Sequence, residues 1–338
     1  MKRNKKQEKR RKKLRTLILL LFLTIIMFGT STYAWFTANK MVTINSLDVH
    51  VEATGGIQIS TDAAVWKSVI TNGDINTGYT GHKNIVPQNV TAVSTDGKVD
   101  ETNGTLNLYK SIIGNDASDG SYNIKTELET ETAASTTAGD FIAFDVFLRV
   151  DEEKQIYLTS DSKVTKKGDG DDKGLKNAAR VGFVMLGHTD STATSAAMIA
   201  AHNLLNSSSK AIIWEPNYDT HSQLVTSQVA TEYGVTLNTS GPTAYCGVNK
   251  AIPTPVSLKN LVNCSDTTNA TSVTPNITTT AANTDYKQAF TLQPGVTKVR
   301  VYMWIEGQDI DCENNATGSD ISYTVQLSTE SSATGTGN

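Results

Sequence analysis

The feature of this sequence that most restricts its fold is a two-residue hydrophobic period that recurs along the chain. In residues 141–150, Ile142, Phe144, Val146, Leu148 and Val150 form one unbroken apolar face. The opposite face holds Asp145 and Arg149 beside Phe141, Ala143 and Phe147. Residues 298–306 set Val299, Val301, Met303 and Ile305 against Lys298, Arg300, Tyr302, Trp304 and Glu306. Residues 321–328 and 46–53 alternate in the same way, the latter aligning Leu47, Val49, Val51 and Ala53. Side chains of a strand point to alternate faces, whereas a helix repeats every 3.6 residues, so these segments predict half-buried strands. Residues 180–186 are apolar on both faces and predict a central strand, with shorter strands at 155–158 and 211–214. Turn signals separate these runs at Asn72-Gly73, Asn103-Gly104, Pro294-Gly295 and residues 168–174. Only residues 194–205 have an Ala-rich helical pattern. Strands without helices between them predict an all-β chain: an antiparallel, jelly-roll-like β-sandwich with long loops and one short helix. The Thr- and Asn-rich residues 263–284 read as a surface excursion, and residues 329–338 as a frayed tail.

Composition matters chiefly through its unevenness. The chain has 338 residues and a formal net charge of −4. Ten of its 30 basic residues, but one of its 34 acidic ones, lie in residues 1–34, so the remainder carries −13. An acidic body argues against nucleic-acid binding, because affinity for phosphate backbones comes from Lys and Arg. There are 47 Thr and 27 Ser, a composition suited to pleated, half-exposed surfaces. Behind the basic head, residues 17–28 are an apolar run (LILLLFLTIIMF), followed by Gly29-Thr30-Ser31-Thr32-Tyr33-Ala34. A charged head, a short apolar run and a small-x-small end predict a secretory signal helix with Thr32 and Ala34 at the cleavage site and Trp35 as the first mature residue. The alternative is an uncleaved anchor over residues 16–36, the chain's one route to a membrane. The expected organisation is a signal peptide at 1–34, one elaborated sandwich at 35–328 and a tail at 329–338.

Candidate chemical sites are sparse. Cys246, Cys264 and Cys312 include no C-x-x-C pair and no zinc spacing. An exported chain permits a disulfide, and Cys246–Cys264 closes the shortest loop. Pairing of Cys312 with either of the others, or three reduced thiols, are the alternatives. Asp309, Asp311 and Glu313 concentrate carboxylates directly after a strand, as a calcium site or a plain acidic loop. In the acidic turn of residues 169–174, Lys173 takes a ligand position of a calcium loop, and Arg180 stands where the closing Glu belongs. Trp66, Trp214 and Trp304 suit either a sugar-stacking platform or the core. No nucleophile elbow, phosphate loop or H-E-x-x-H occurs, so no catalytic residues and no cofactor are expected.

The stretch Thr32-Tyr33-Ala34-Trp35-Phe36-Thr37 after a long basic head resembles the cleavage junction of TasA/camelysin-like exported proteins of Gram-positive bacteria. Residues 46–51 (Ser-Leu-Asp-Val-His-Val) resemble the strand that follows it in that family. Residues 301–312 (VYMWIEGQDIDC) resemble a segment of related surface proteins. The resemblance covers residues 1–53 and 298–328. It implies processing by a dedicated SipW-type signal peptidase and a place in the cell surface or biofilm matrix. It also implies self-association into fibres, in which residues 35–51 complete the sheet of the next subunit, with Leu47, Val49 and Val51 as the inserted side chains. A monomeric adhesin or glycan-binding module is the alternative, and a camelysin-like protease a further one.

Overall fold

A computed structural model describes residues 42–43, 50–54, 56–115, 122–131, 138–167, 172, 174–220, 244–312 and 320–332. The chain is all-β and sandwich-like, built mostly from antiparallel sheets. One six-stranded sheet runs Ile277–Thr278, Ile212–Glu215, Ala179–Thr189, Gly295–Ile305, Ile142–Val150 and Gln58–Ser60. The predicted alternation sets its register. Val301 lies between Phe144 and Phe183, and Met303 between Ile142 and Val181, all on one face. A second sheet runs Lys287–Leu292, Lys154–Leu158, Asp320–Ser328, His50–Thr54 and Val69–Ile70, with Lys163–Lys167 also pairing with Asp320–Ser328. Ile156, Leu158, Val164, Ile321, Tyr323, Val325 and Leu327 of this sheet join Phe144, Val146, Val181, Val299 and Met303 in one buried cluster. Each such side chain contributes about 1.5–3 kcal/mol on leaving water.

The expectation of half-buried strands needs correction for the first sheet. Its second face is also buried. Phe141, Ala143, Val184, Leu186, Ile213, Tyr302 and Trp304 pack against Ile85, Val93, Val99, Leu106 and Leu108. Those covering residues belong to a further layer that includes a four-stranded sheet of Ile252–Ser257, Tyr122–Leu128, Tyr109–Asn115 and Val93–Ser94. Strand Tyr245–Val248 docks closely on this layer. A Cβ on Gly247 would lie 2.1 Å from the Thr95 carbonyl oxygen, so only glycine fits there.

Helices are short. The expected helix over 194–205 is confined to Ser195–Ala200, capped by Thr194, whose Oγ1 accepts from the Ala197 N–H at 3.2 Å. It stops early because Ala201 is extended (ψ 124°) and Leu204 N–H then donates to Leu186 O. Two further helices form where one alone was expected. Asn72–Thr77 begins at a Thr71/Asp74 capping box, and Leu258–Val262 at Ser257. The excursion over 263–284 is also partly built in. Ile277–Thr278 is an edge strand of the first sheet, and Asn276 Oδ1 accepts from Ile213 N–H at 2.9 Å.

Candidate functional site

The N-terminal strand stands out by direction. His50–Thr54 lies between Asp320–Ser328 and Val69–Ile70 and runs parallel to the former, from His50 opposite Thr324 to Thr54 opposite Ser328. The other pairings of this sheet are antiparallel. Upstream, Val42–Thr43 pairs antiparallel with Asn89–Val90 in a separate three-stranded ribbon. The arm therefore has two stations, one in each of two sheets. It leaves the second sheet at Gly56 (φ 92°), a left-handed conformation that suits glycine. Val51 takes part in the docked strand. Leu47, Val49 and the signal residues Thr32, Ala34 and Trp35 lie outside the described residues.

Register on the second face of the first sheet assembles two buried ion clusters. In one, Arg180 is opposite Trp304 on one neighbouring strand and level with Glu215 on the other. Its Nη2 donates to Glu215 Oε1 at 2.7 Å and to Asp309 Oδ2 at 2.5 Å, and its Nη1 to the carbonyls of Asn177 and Ala179. Burial works against this guanidinium, but Glu215 and Asp309 outweigh it and hold the pKa above the ordinary value. Glu306, wholly buried beside them, accepts from Trp304 Nε1 and from Gln308 N–H, both at 3.1 Å. Burial pushes its pKa up to about 7, with hydrogen bonds from Ser94 and Trp304 opposing.

In the second cluster Asp145 faces Arg300 across the strand pair. Arg300 Nη1 reaches Asp145 Oδ1 at 2.7 Å, and its Nη2 reaches Glu131 Oε2 at 2.6 Å and Lys83 O at 2.7 Å. Tyr79 OH donates to Asp145 Oδ2 at 2.5 Å, and Lys298 Nζ lies 3.3 Å from the same oxygen. Burial raises the Asp145 pKa, but Arg300 and Lys298 outweigh it and hold the carboxyl below the usual range.

The acidic segment after residue 305 is thus not a solvated loop. Glu306, Gln308, Asp309 and Asp311 are all buried. Asp309 spends one oxygen on Arg180 and the other on the Asp311 N–H at 2.9 Å. Glu313 lies outside the described residues. Among those described, no group of three or more His, Cys, Asp or Glu is placed to hold a metal ion. Cys246 and Cys264 form a disulfide with Cα atoms 5.4 Å apart, and Cys312 is buried outside it. Trp214 and Trp304 are buried in the core, and Arg149 stacks over Trp66 at 4.3 Å, so the three do not form one exposed platform. Among the described residues no helix is long and apolar enough to cross a membrane.

Two features escaped the sequence reading. Glu215 and Glu131 were not expected as partners of the buried arginines: register brings Glu215 level with Arg180, and Glu131 lies in the segment that follows strand Tyr122–Leu128. A third group, Lys110, Glu129 and Asp140, gathers at the edge of the covering layer. Lys110 Nζ lies 3.0 Å from Asp140 Oδ1, and the Asp140 carboxyl raises the pKa of the half-buried Glu129 beside it. Comparison of the chain with protein-family models, curated proteins and solved structures gave no match.

Proposed function

We propose that this chain is an exported structural protein of the cell surface or extracellular matrix that self-associates by lending its N-terminal strand to a second copy. The parallel seating of His50–Thr54 against the C-terminal strand Asp320–Ser328 carries this reading. A strand docked inside a sheet and followed by Gly56, whose left-handed backbone suits a hinge, can be exchanged between copies. The same five backbone pairs form whether the strand comes from its own chain or a neighbour, so the exchange costs little in contacts. Withdrawal of the strand bares an edge of Asp320–Ser328, which favours refilling by another copy. The buried ion clusters serve the architecture: both hold sheet and covering layer together, and neither sets a nucleophile beside a base and an open substrate space.

The processed protein beginning at Trp35 is the material for the test. Light scattering is expected to report growth with concentration, and negative-stain microscopy to show filaments. A synthetic peptide of residues 35–54 is expected to cap growth. A protein that stays monomeric at every concentration, with no filaments, overturns the proposal.

A further inference from the structure

We propose that Lys110 and Asp140 are joined by an intramolecular amide bond, with Glu129 carrying the proton that its formation requires. The three side chains come from three places. Lys110 is on strand Tyr109–Asn115, Glu129 follows strand Tyr122–Leu128, and Asp140 follows the short strand Ala138–Gly139. Backbone bonds tie the segments that carry the two acids to the covering layer: Glu129 N–H donates to Leu108 O at 2.8 Å, and Thr91 N–H to Gly139 O at 3.0 Å. Lys110 Nζ sits 3.0 Å from Asp140 Oδ1, and the Thr91 hydroxyl donates to that same oxygen. The Lys110 and Asp140 side chains are 32% and 14% exposed, and the neighbouring Leu108 and Phe141 are buried.

An ordinary surface ion pair needs no third group. Here a second carboxyl, that of Glu129, lies close enough to Asp140 for the two acids to interact. Burial first, then Asp140, raises the Glu129 pKa to about 7, while Lys110 pulls it down and Glu127, opposite Lys110 on the adjacent strand, adds to the rise. A carboxyl titrating there can both take and give a proton at neutral pH.

The step is a dehydration within the pair. The ammonium of Lys110 gives a proton through Glu129 to the Asp140 carboxylate. The freed Nζ lone pair attacks Cγ, and the Thr91 hydroxyl holds the oxygen on which negative charge develops. Collapse of the tetrahedral carbon breaks one C–O bond, and the departing oxygen takes a second proton from nitrogen by way of Glu129. One ammonium and one carboxylate become one amide and one water, so Glu129 ends as it began and no oxidant or co-reactant is needed. The product ties the covering sheet to the residue leading into strand Ile142–Val150. That tie would suit a subunit under tension, although the chemistry stands independently of the assembly reading.

Intact mass of the purified, disulfide-reduced protein tests this directly. The expected mass is one water below that of the sequence, and digestion is expected to give a branched peptide joining Lys110 to Asp140. Lys110→Arg should restore the full mass while circular dichroism stays native. Glu129→Gln should also keep the native spectrum but leave the bond unformed or slow to form. A natively folded wild-type protein that keeps its full mass after prolonged incubation at neutral pH overturns the proposal. A branch at other residues, or wild-type bond formation in Glu129→Gln, overturns it equally.

Discussion

Replacing Arg300 with Met should destabilise the protein severely, and the loss should shrink in acid. Arg300 is 4% exposed and closes two ion pairs, at 2.7 Å to Asp145 and 2.6 Å to Glu131. Its removal leaves two carboxylates facing each other beneath Tyr302, with Lys298 as the remaining cation near Asp145. Removing one partner of a buried pair costs about 3–5 kcal/mol, because the other charge stays desolvated. That is a large part of a typical domain's total of roughly 5–15 kcal/mol. In the wild type, Arg300 and Lys298 hold the Asp145 pKa below its unfolded value of 3.8. Asp145 thus contributes stability that is present above pH 3.8 and lost as pH falls through the lower folded value. The variant lacks that contribution, and its buried carboxyls take up protons more readily than in the unfolded chain, so its deficit narrows on acidification. Guanidinium unfolding of both proteins at neutral pH and near pH 4 measures the difference. A loss below about 1 kcal/mol, equal at both pH values, would place the cluster in water and refute the reasoning. Replacing Arg300, Asp145 and Glu131 together with apolar residues of similar volume should recover much of the loss.

Three further outcomes follow from the same structure. Glu306 has its pKa raised from 4.5 to about 7, so its protonated form favours folding; that contribution is complete below pH 4.5 and lost as pH rises through about 7. Glu306→Gln should flatten the thermal midpoint between those pH values, whereas an unchanged pH slope would assign it to other groups. Cys246→Ser should cost about 3 kcal/mol, the chain-entropy value for a loop near 18 residues, read from denaturant midpoints with and without reductant. Gly247→Ala forces a Cβ to 2.1 Å from Thr95 O, so strand Tyr245–Val248 must shift; its amides should lose hydrogen-exchange protection while those of Gly295–Ile305 keep theirs.

Much of the sandwich was legible because a period-two pattern has one structural solution. The alternation at residues 141–150, 298–306 and 321–328 predicted strands that exist as Ile142–Val150, Gly295–Ile305 and Asp320–Ser328. Its faces also matched, with Ile142, Phe144, Val146, Leu148 and Val150 in the sandwich core. What misled was the meaning of the second face. Asp145, Arg300 and Glu306 fall on the polar faces of their patterns, and charge in a strand ordinarily marks water. Their burial follows from a layer contributed by Ile85, Val93, Val99, Leu106 and Leu108, and no local pattern at 141–150 or 298–306 announces that layer.

The sequence by itself therefore determined the class of fold, the strand faces, the acidic body and the basic head, all of which depend on neighbours along the chain. Only the tertiary structure decided which charges meet. Arg180 joins Glu215 and Asp309, and Arg300 joins Asp145 and Glu131, through pairings between residues far apart in sequence. It also decided that the N-terminal strand runs parallel beside Asp320–Ser328, and that Lys110, Glu129 and Asp140 share one corner. The physical reason is the same throughout. Alternation is fixed by backbone geometry within a strand, whereas partnership is fixed by register between strands, which is settled only when the layers close on one another.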